Sequence, residues 1–408
     1  MKILHLSSVY APQRIGGAEK VVELLAEHSV ALGHEVAVAH IAPEPAPAHQ
    51  RHGVDVHPLR HRNPLWIGDS GRHPLLRQAN KVATLFNVLT TADLARLLRE
   101  LRPDVVHSHS MVELPPWVWQ VASAQGCAVV HTLHDYDLLC IRSSLFKDGA
   151  HCTPRHTACK LFSRVKLTQH GHIHQVVGVS QAILDRHLAE GCFAHLAPEQ
   201  RQVIWNPVPI LSAPPRPVRA AGAPLTLGFI GRLVAEKGVH RLLQACRQLP
   251  PQGWQLRIAG QPGPDQQALL ELAQGLPVQW MGYVEPMAFL AGLDTLVVPS
   301  VWLEPFGLTI VEAYAAGVPV LGADSAGVAE IIGTVDPQAL VPPDDADALA
   351  RQLLQLLRDG PRPLPAAGRA AVLERTRPAQ VAHAYEGVYR RALAQRAATA
   401  GHAAPSAR

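Results

Sequence analysis

No run of apolar residues approaches the roughly 18 to 20 that a membrane-spanning helix needs, so no transmembrane segment is expected. The amino terminus, Met1-Lys-Ile-Leu-His-Leu-Ser-Ser8, has too short an apolar run for a secretory leader and reads as a strand. Cysteine is sparse. There are six, with no C-x2-C pair, in a chain for which no leader is expected, and this points to reduced thiols in a cytoplasmic protein. Charge of one sign is also lacking. The net of +4 argues against a dedicated nucleic-acid binder, whose domain would be far more basic. The G-x-G-x-x-G fingerprint is missing, which disfavours a dinucleotide cofactor.

The composition that remains is globular, 48% hydrophobic and 17% charged over 408 residues, too long for one ordinary core. Histidine is lopsided, with 20 of 23 before residue 210, so the two halves are built differently. A proline-dense stretch (Pro207, Pro209, Pro214, Pro215, Pro217, Pro224) interrupts regular structure between them. The expected division is 1–208, 209–378, a last helix over 379–396 and a disordered tail over 397–408. Each half alternates strands and helices, which predicts an α/β protein with parallel sheets.

The most informative stretch runs from Val301 to Val320. Glu304 and Glu312 are separated by seven residues that include Pro305 and Gly307. Asp294–Ser300 reads as a strand before them and Gly317–Gly322 as the next strand, so Glu304 falls on a strand-end loop and Glu312 on the following helix. Ligands bind at that edge of an open parallel sheet. Gly307 and the first N–H groups of the helix would favour an anion there, whereas the carboxylates would accept hydrogen bonds from hydroxyl groups. A ligand with hydroxyls on both sides of a phosphate suits both. On spacing alone, a solvated Glu and a helix-capping Glu fit as well.

Other strand ends carry polar groups. A Gly16-Gly17 loop follows the first strand and precedes a helix. Pro103–His109 and Ala128–Asp135 are apolar strands that end in His109 and in His131-Thr-Leu-His134-Asp135. In the second half, Leu225–Gly231 is followed by Arg232 and Lys237 on one loop, a planar fork and a point charge that both suit phosphate oxygens.

These strings together resemble the family 4 retaining glycosyltransferases, a group with the E-x7-E signature and the GT-B fold of two Rossmann-like domains facing a central cleft. The resemblance covers roughly residues 2–390. It implies a nucleotide-diphosphate sugar donor bound mainly by the second domain, a saccharide or lipid-linked acceptor on the first, and a final helix that crosses back to the first domain. It implies catalytic roles for His134, Arg232, Lys237 and Glu304. Substrate contacts are implied for Gly16, Gly17, His131, Asp135, Phe306, Gly307, Leu308, Thr309 and Glu312. No cofactor, metal or nucleic acid is expected. Surface polysaccharide or glycolipid synthesis is the implied setting, in the cytoplasm with peripheral contact at the inner face of a membrane. A non-catalytic nucleotide-sugar sensor and an NAD-dependent oxidoreductase are the other readings.

Two segments stand apart. Leu75, Leu76, Ala79, Val82, Leu85, Phe86 and Leu89 share a face of a helix or helix pair over 76–101, with Arg72, Arg77 and Lys81 opposite. A core-facing role is expected, and a membrane-surface role is the alternative. From Cys140 to His174, Arg142, Lys147, Arg155, Lys160, Arg164 and Lys166 face only Asp148, which suits phosphate or anionic headgroups. Cys140, Cys152 and Cys159 in that segment read as loose thiols on a lid-like loop, with zinc as the alternative. Asp137 stands where the family string has an aromatic residue.

Overall fold

The computed structural model describes residues 1–13, 16–66, 74–209, 220 and 222–402. It divides into two compact units. One is Met1–Leu145, Thr153–Pro207 and the chain from Pro378 onward; the other is Phe146–Cys152 and Val208–Arg377. Pro214, Pro215 and Pro217 of the linker lie outside the described residues.

In the first unit the strands are β1 (Lys2–Ser7), β2 (Glu35–Ala42), β3 (His49–Arg51), β4 (Val54–Arg60), β5 (Val105–Ser108) and β6 (Ala128–Leu133). A short hairpin, β7 (Phe146–Lys147) and β8 (Ala150–His151), stands separately. β9 (Gln175–Gly178) and β10 (Arg201–Val203) complete the sheet. Its order is β10-β9-β6-β5-β1-β2-β4-β3, parallel except for β3 against β4. The interior strands are buried on both faces, which is why Val105-Val106 and Ala128-Val-Val130 read as unbroken apolar runs. The final helix, Pro378–His402, covers one face, and its Val381, Tyr385, Val388 and Tyr389 meet Ile3, Val105, Ala128 and Val130.

The second unit holds β11 (Leu225–Ile230), β12 (Trp254–Ala259), β13 (Val278–Gly282), β14 (Thr295–Val298), β15 (Val320–Ala323) and β16 (Leu340–Val341), in the order β13-β12-β11-β14-β15-β16 and all parallel. Its core is built from alternate strand residues Leu225, Leu227, Phe229, Leu256 and Ile258 against Leu242, Leu243, Leu349 and Leu353 of flanking helices.

Three expectations need correction. Of the apolar face expected over 76–101, only Leu85 is buried and the rest does not meet the core. Two helices, Pro74–Leu85 and Val88–Leu101, occupy this stretch, and Leu75, Leu76, Val82, Phe86, Val88 and Leu89 are all exposed, Leu75 by 66% and Leu89 by 55%. The first helix is anchored on its other side: Asn80 clasps the backbone of Leu65 at 2.9 and 2.8 Å, and Thr84 and Leu85 are buried. A polar residue thus takes the inward position that apolar periodicity would assign to leucine. Arg72 lies outside the described residues, as does the side chain of Arg77. Second, Cys140–His174 is not an irregular loop. It contains the β7–β8 hairpin and a helix, Thr157–Leu167, and Cys140 and Cys159 are buried. Third, the last helix does not stop at Arg396 but continues through Ala397, Ala398, Thr399 and Ala400 to His402. Alanine is the best helix former, so nothing there ends the helix early; residues 403–408 lie outside the description.

Candidate functional site

Two strand ends of the second unit, after β11 and β14, carry the four charged residues; Lys237 meets Glu304 directly and Arg232 lies near enough to act on its carboxylate. Arg232 follows β11 and is exposed. Lys237 ends a single 3-10 turn, Ala235–Lys237, just before the Val239–Cys246 helix. Glu304 lies on the loop between β14 and the Leu308–Ala315 helix, and Glu312 lies within that helix. Lys237 Nζ donates to Glu304 Oε1 at 2.6 Å, Ser300 Oγ donates to Oε2 at 2.7 Å, and the ammonium sits 5.7 Å from the Trp302 ring. Burial pushes the Glu304 carboxyl up, but Lys237, Ser300 and Arg232 outweigh it and hold it below its ordinary value. Glu304 is therefore a carboxylate with both oxygens already engaged.

Glycine makes this approach possible. Gly238 has φ +72°, and a Cβ there would stand 1.9 Å from the Pro299 carbonyl oxygen. The bare backbone lets the Lys237 turn lie against the loop after β14, where Val301 N bonds Glu236 O at 3.0 Å. On the far side, a Cβ on Gly327 would stand 2.5 Å from the Pro305 carbonyl oxygen, and Gly327 N donates to Glu304 O at 3.0 Å. Gly307 caps the Leu308–Ala315 helix at φ +115°. Phe306 is buried, while Leu308, Thr309 and Glu312 are half-buried. Sequence reading named the four charged residues but missed Ser300 and the direct Lys237–Glu304 pair.

In the first unit, Gly16 and Gly17 precede the Ala18–Ala31 helix. Gly17, at φ −90°, does not need glycine, and a Cβ on Gly16 would meet only the Glu19 carboxylate at 3.7 Å. The strand-end histidines separate by face. β1 pairs with β5 at His5↔His107, and β5 with β6 at Ser108↔His131. Strand alternation therefore puts His5, His107, His109, Thr132 and His134 on the face under the final helix, with Ser108 and His131 on the other. His131 bonds Ser108 Oγ through Nδ1 at 2.9 Å and packs its ring against Trp119, inside the core. His134 Nε2 bonds His109 Nδ1 at 3.0 Å. Burial drives the His134 imidazole down to about 4, so it is neutral at physiological pH.

Asp135 accepts from Ser110 Oγ at 3.2 Å and from Asp137 N at 2.7 Å. Burial, then the nearby Asp137 carboxylate, push it up to about 7. Asp135 and Asp137 have Asp-x-Asp spacing, but both oxygens of Asp137 are held at 2.7 Å by Lys166 Nζ. Asp137, where the family string has an aromatic residue, is thus held in a buried ion pair with Lys166. Arg155 is likewise turned inward, onto Glu190 at 2.7 Å, which leaves Arg142, Lys147, Lys160 and Arg164 as the exposed cations of the basic segment. Cys159 shares a hydrogen bond with Cys140, which lowers the Cys140 thiol to about 5 against the opposing effect of burial. Both are free thiols, but buried and hydrogen-bonded to one another rather than loose on a loop. Among the described residues, three or more potential ligands gather only at His5–His107–His109 and at Glu23–Glu27–His52, and neither group includes a cysteine.

Two separate parallel sheets, each with polar groups at one set of strand ends, define a protein built from two Rossmann-like domains. Family comparison names it further. The model for glycosyl transferases group 1 matches residues 215–370, and that for glycosyltransferase family 4 matches residues 15–210. An uncharacterised 42.6 kDa protein of the cps region of Klebsiella pneumoniae is 30% identical over 336 residues, 81% of this chain and 87% of that one. Glycogen synthase of Mycobacterium tuberculosis is 28% identical over 384 residues, 88% of this chain and 86% of that one. Among solved structures, sucrose-phosphate synthase from Thermosynechococcus elongatus superposes with a TM-score of 0.75 at 20% identity, covering 97% of this chain and 100% of that one. HepE of Anabaena, solved with UDP-glucose, gives 0.66 at 19% identity, covering 98% of this chain and 100% of that one. The chain belongs to the family 4 glycosyltransferases and has their GT-B fold.

Proposed function

We propose that the protein transfers a sugar, with retention of anomeric configuration and without a metal ion, from a nucleoside-diphosphate donor to a hydroxyl of a saccharide or lipid-linked acceptor. The observation that carries this is the Lys237–Glu304 pair, locked between two glycine-dependent loops with Arg232 alongside. An ammonium has three donors, so Lys237 can keep Glu304 and still bind a phosphate oxygen. Arg232 supplies a second cation. Together they stabilise the charge that develops on the departing diphosphate, a large part of many rate enhancements. Glu312 holds ribose hydroxyls, Glu304 a hydroxyl of the transferred sugar, and the backbone over Phe306, Gly307, Leu308 and Thr309 lies against donor phosphate and sugar. In the first unit, the family resemblance assigns His134 and Asp135 to sugar contacts and Gly16 and Gly17 to substrate contacts.

Retention by double displacement needs a free carboxylate nucleophile. Glu304 has both oxygens in hydrogen bonds, so a front-face reaction is favoured. In it the bond from the anomeric carbon to phosphate oxygen breaks, the acceptor oxygen bonds the same face of that carbon, and the acceptor proton passes to the leaving phosphate. The likeness to HepE, solved with UDP-glucose, supports a nucleotide-sugar donor.

The exposed stripe of Leu75, Leu76, Val82, Phe86 and Leu89 gives a membrane-contact reading specific support. The Thr157–Leu167 helix packs beside it and exposes Leu161, Lys160 and Arg164. Apolar residues with cations on one neighbouring helix suit the surface of an anionic bilayer.

A panel of nucleotide sugars assayed by thermal unfolding tests the function. The true donor, at about 100 times its dissociation constant, adds about 2.7 kcal/mol and raises the melting temperature by a few degrees. Release of nucleoside diphosphate in the presence of EDTA then distinguishes a metal-independent enzyme from a sensor, which would bind without turnover. Absence of stabilisation by every sugar nucleotide would remove the proposal.

A further inference from the structure

The histidines under the final helix form a chain. His5 Nδ1 lies 3.0 Å from His109 Nε2, and His109 Nδ1 lies 3.0 Å from His134 Nε2. All three rings are held neutral by burial, so each carries one N–H and one bare nitrogen. Each link must then pair a donor with an acceptor, and the direction of one link fixes the other.

Only two arrangements exist. With the protons running inward, His134 and His109 both donate from Nε2, and His5 must carry its proton on Nε2. With the protons running outward, His5 donates from Nδ1 to His109, His109 donates from Nδ1 to His134, and His134 carries its proton on Nδ1. The closed end decides between them. His5 Nε2 is buried without a hydrogen-bond partner. The inward arrangement would strand a buried N–H there, whereas the outward one leaves only a bare lone pair. Orphaned buried donors are the rarer and costlier of the two.

We propose that His5 and His109 are positioning residues that fix His134 as the Nδ1–H tautomer, so that its free nitrogen offers a ligand a hydrogen-bond donor and cannot accept a proton. Nδ1 is the nitrogen of His134 that no described residue engages, and the side chain is part-exposed. The ligand atom it meets is an oxygen lone pair, of a sugar hydroxyl or a phosphate, and His134 is excluded as general base. The second part rests on the glycosyl-transfer reading; the tautomer itself does not.

The same cluster does not make a ready metal seat. His107 Nδ1 is bonded to Tyr389 OH at 2.9 Å and Nε2 to Thr132 Oγ1 at 2.7 Å, so a cation shared with His5 and His109 would have to break one of those bonds.

Nitrogen NMR of histidine-labelled protein, without substrate and at neutral pH, reads the tautomer directly, with the His134 signals assigned by their loss in His134→Gln. The expected result is a protonated Nδ1 and a bare Nε2. His109→Asn keeps an amide N–H near the position of Nδ1 and should preserve that pattern. His109→Leu removes the donor, so His134 should revert to the Nε2–H form that neutral histidine ordinarily prefers, and transfer should fall roughly tenfold for one lost hydrogen bond. An Nε2–H form of His134 in the unaltered protein overturns the proposal whatever the enzyme's donor proves to be. So does an unchanged tautomer in a folded His109→Leu variant. If the tautomer behaves as expected but no sugar nucleotide binds, the function fails and the hydrogen-bond chain stands.

Discussion

At the scale of single residues, the proposed donor site rests on an ammonium held by a carboxylate. Lys237→Ala should lower kcat by roughly 100-fold or more, because it removes a contact to charge that grows in the transition state. Steady-state release of nucleoside diphosphate measures it, and an unchanged kcat would take Lys237 out of the mechanism. Gly238→Ala makes a separate prediction. Its φ of +72° and the 1.9 Å approach to Pro299 O cannot accommodate a methyl group, so the Lys237 turn must retreat from the Glu304 loop. A loss of about 1–3 kcal/mol in stability is expected, with weakened donor binding, and a chemical-denaturation curve reads the first. The strand-end placement of Arg232, Lys237 and Glu304 was legible in the sequence from the apolar strands that precede them. The Lys237–Glu304 hydrogen bond and Ser300 were not, since pairing between loops 67 residues apart depends on where glycine lets backbones meet.

At the scale of elements, strands were the most legible. Val105-Val106 and Ala128-Val-Val130 announce buried parallel strands by their unbroken apolar runs. The Pro74–Leu85 helix misled for the opposite reason: its periodicity is real, but Asn80 and its bonds to the Leu65 backbone choose the buried side. Vesicle sedimentation tests the exposed stripe. Binding to anionic vesicles should be strong at low salt, weaker with neutral lipid, and lost in a Leu76→Glu, Phe86→Glu variant. Equal sedimentation of that variant would remove the membrane reading.

The buried histidines of the first unit, His187 of the Gln181–Ala189 helix among them, carry their own pH dependence. His5 is held at about 3, His134 and His187 at about 4, and His107, His109 and His131 well below 6.5, all chiefly by burial. Their unfolded forms take up protons first, so the stability they contribute is complete above about pH 6.5 and is lost as pH falls toward 4. Asp135, raised to about 7, acts oppositely, since its neutral form gains stability as pH falls, but it is one group against six. Urea midpoints should therefore drop steadily from pH 6.5 to 4.5, and a flat profile would contradict the buried neutral cluster.

At the scale of the molecule, two parallel-sheet units were foreseeable from length, the proline-dense linker and the uneven distribution of histidine. The family follows from motifs carried on both units, but a particular donor and acceptor do not, because no residue pattern in the strand-end loops specifies a base, a sugar or an acceptor. The central claim is narrower: Arg232 and Lys237 form the seat of a diphosphate. Calorimetric titration of the stabilising nucleoside diphosphate, beside its parent nucleoside, into the unaltered protein and an Arg232→Ala, Lys237→Ala variant tests it most directly. Two charge-assisted contacts predict a loss of at least roughly 100-fold in diphosphate affinity, with binding of the nucleoside little changed. Diphosphate bound as tightly by the folded double variant as by the unaltered protein would contradict the account.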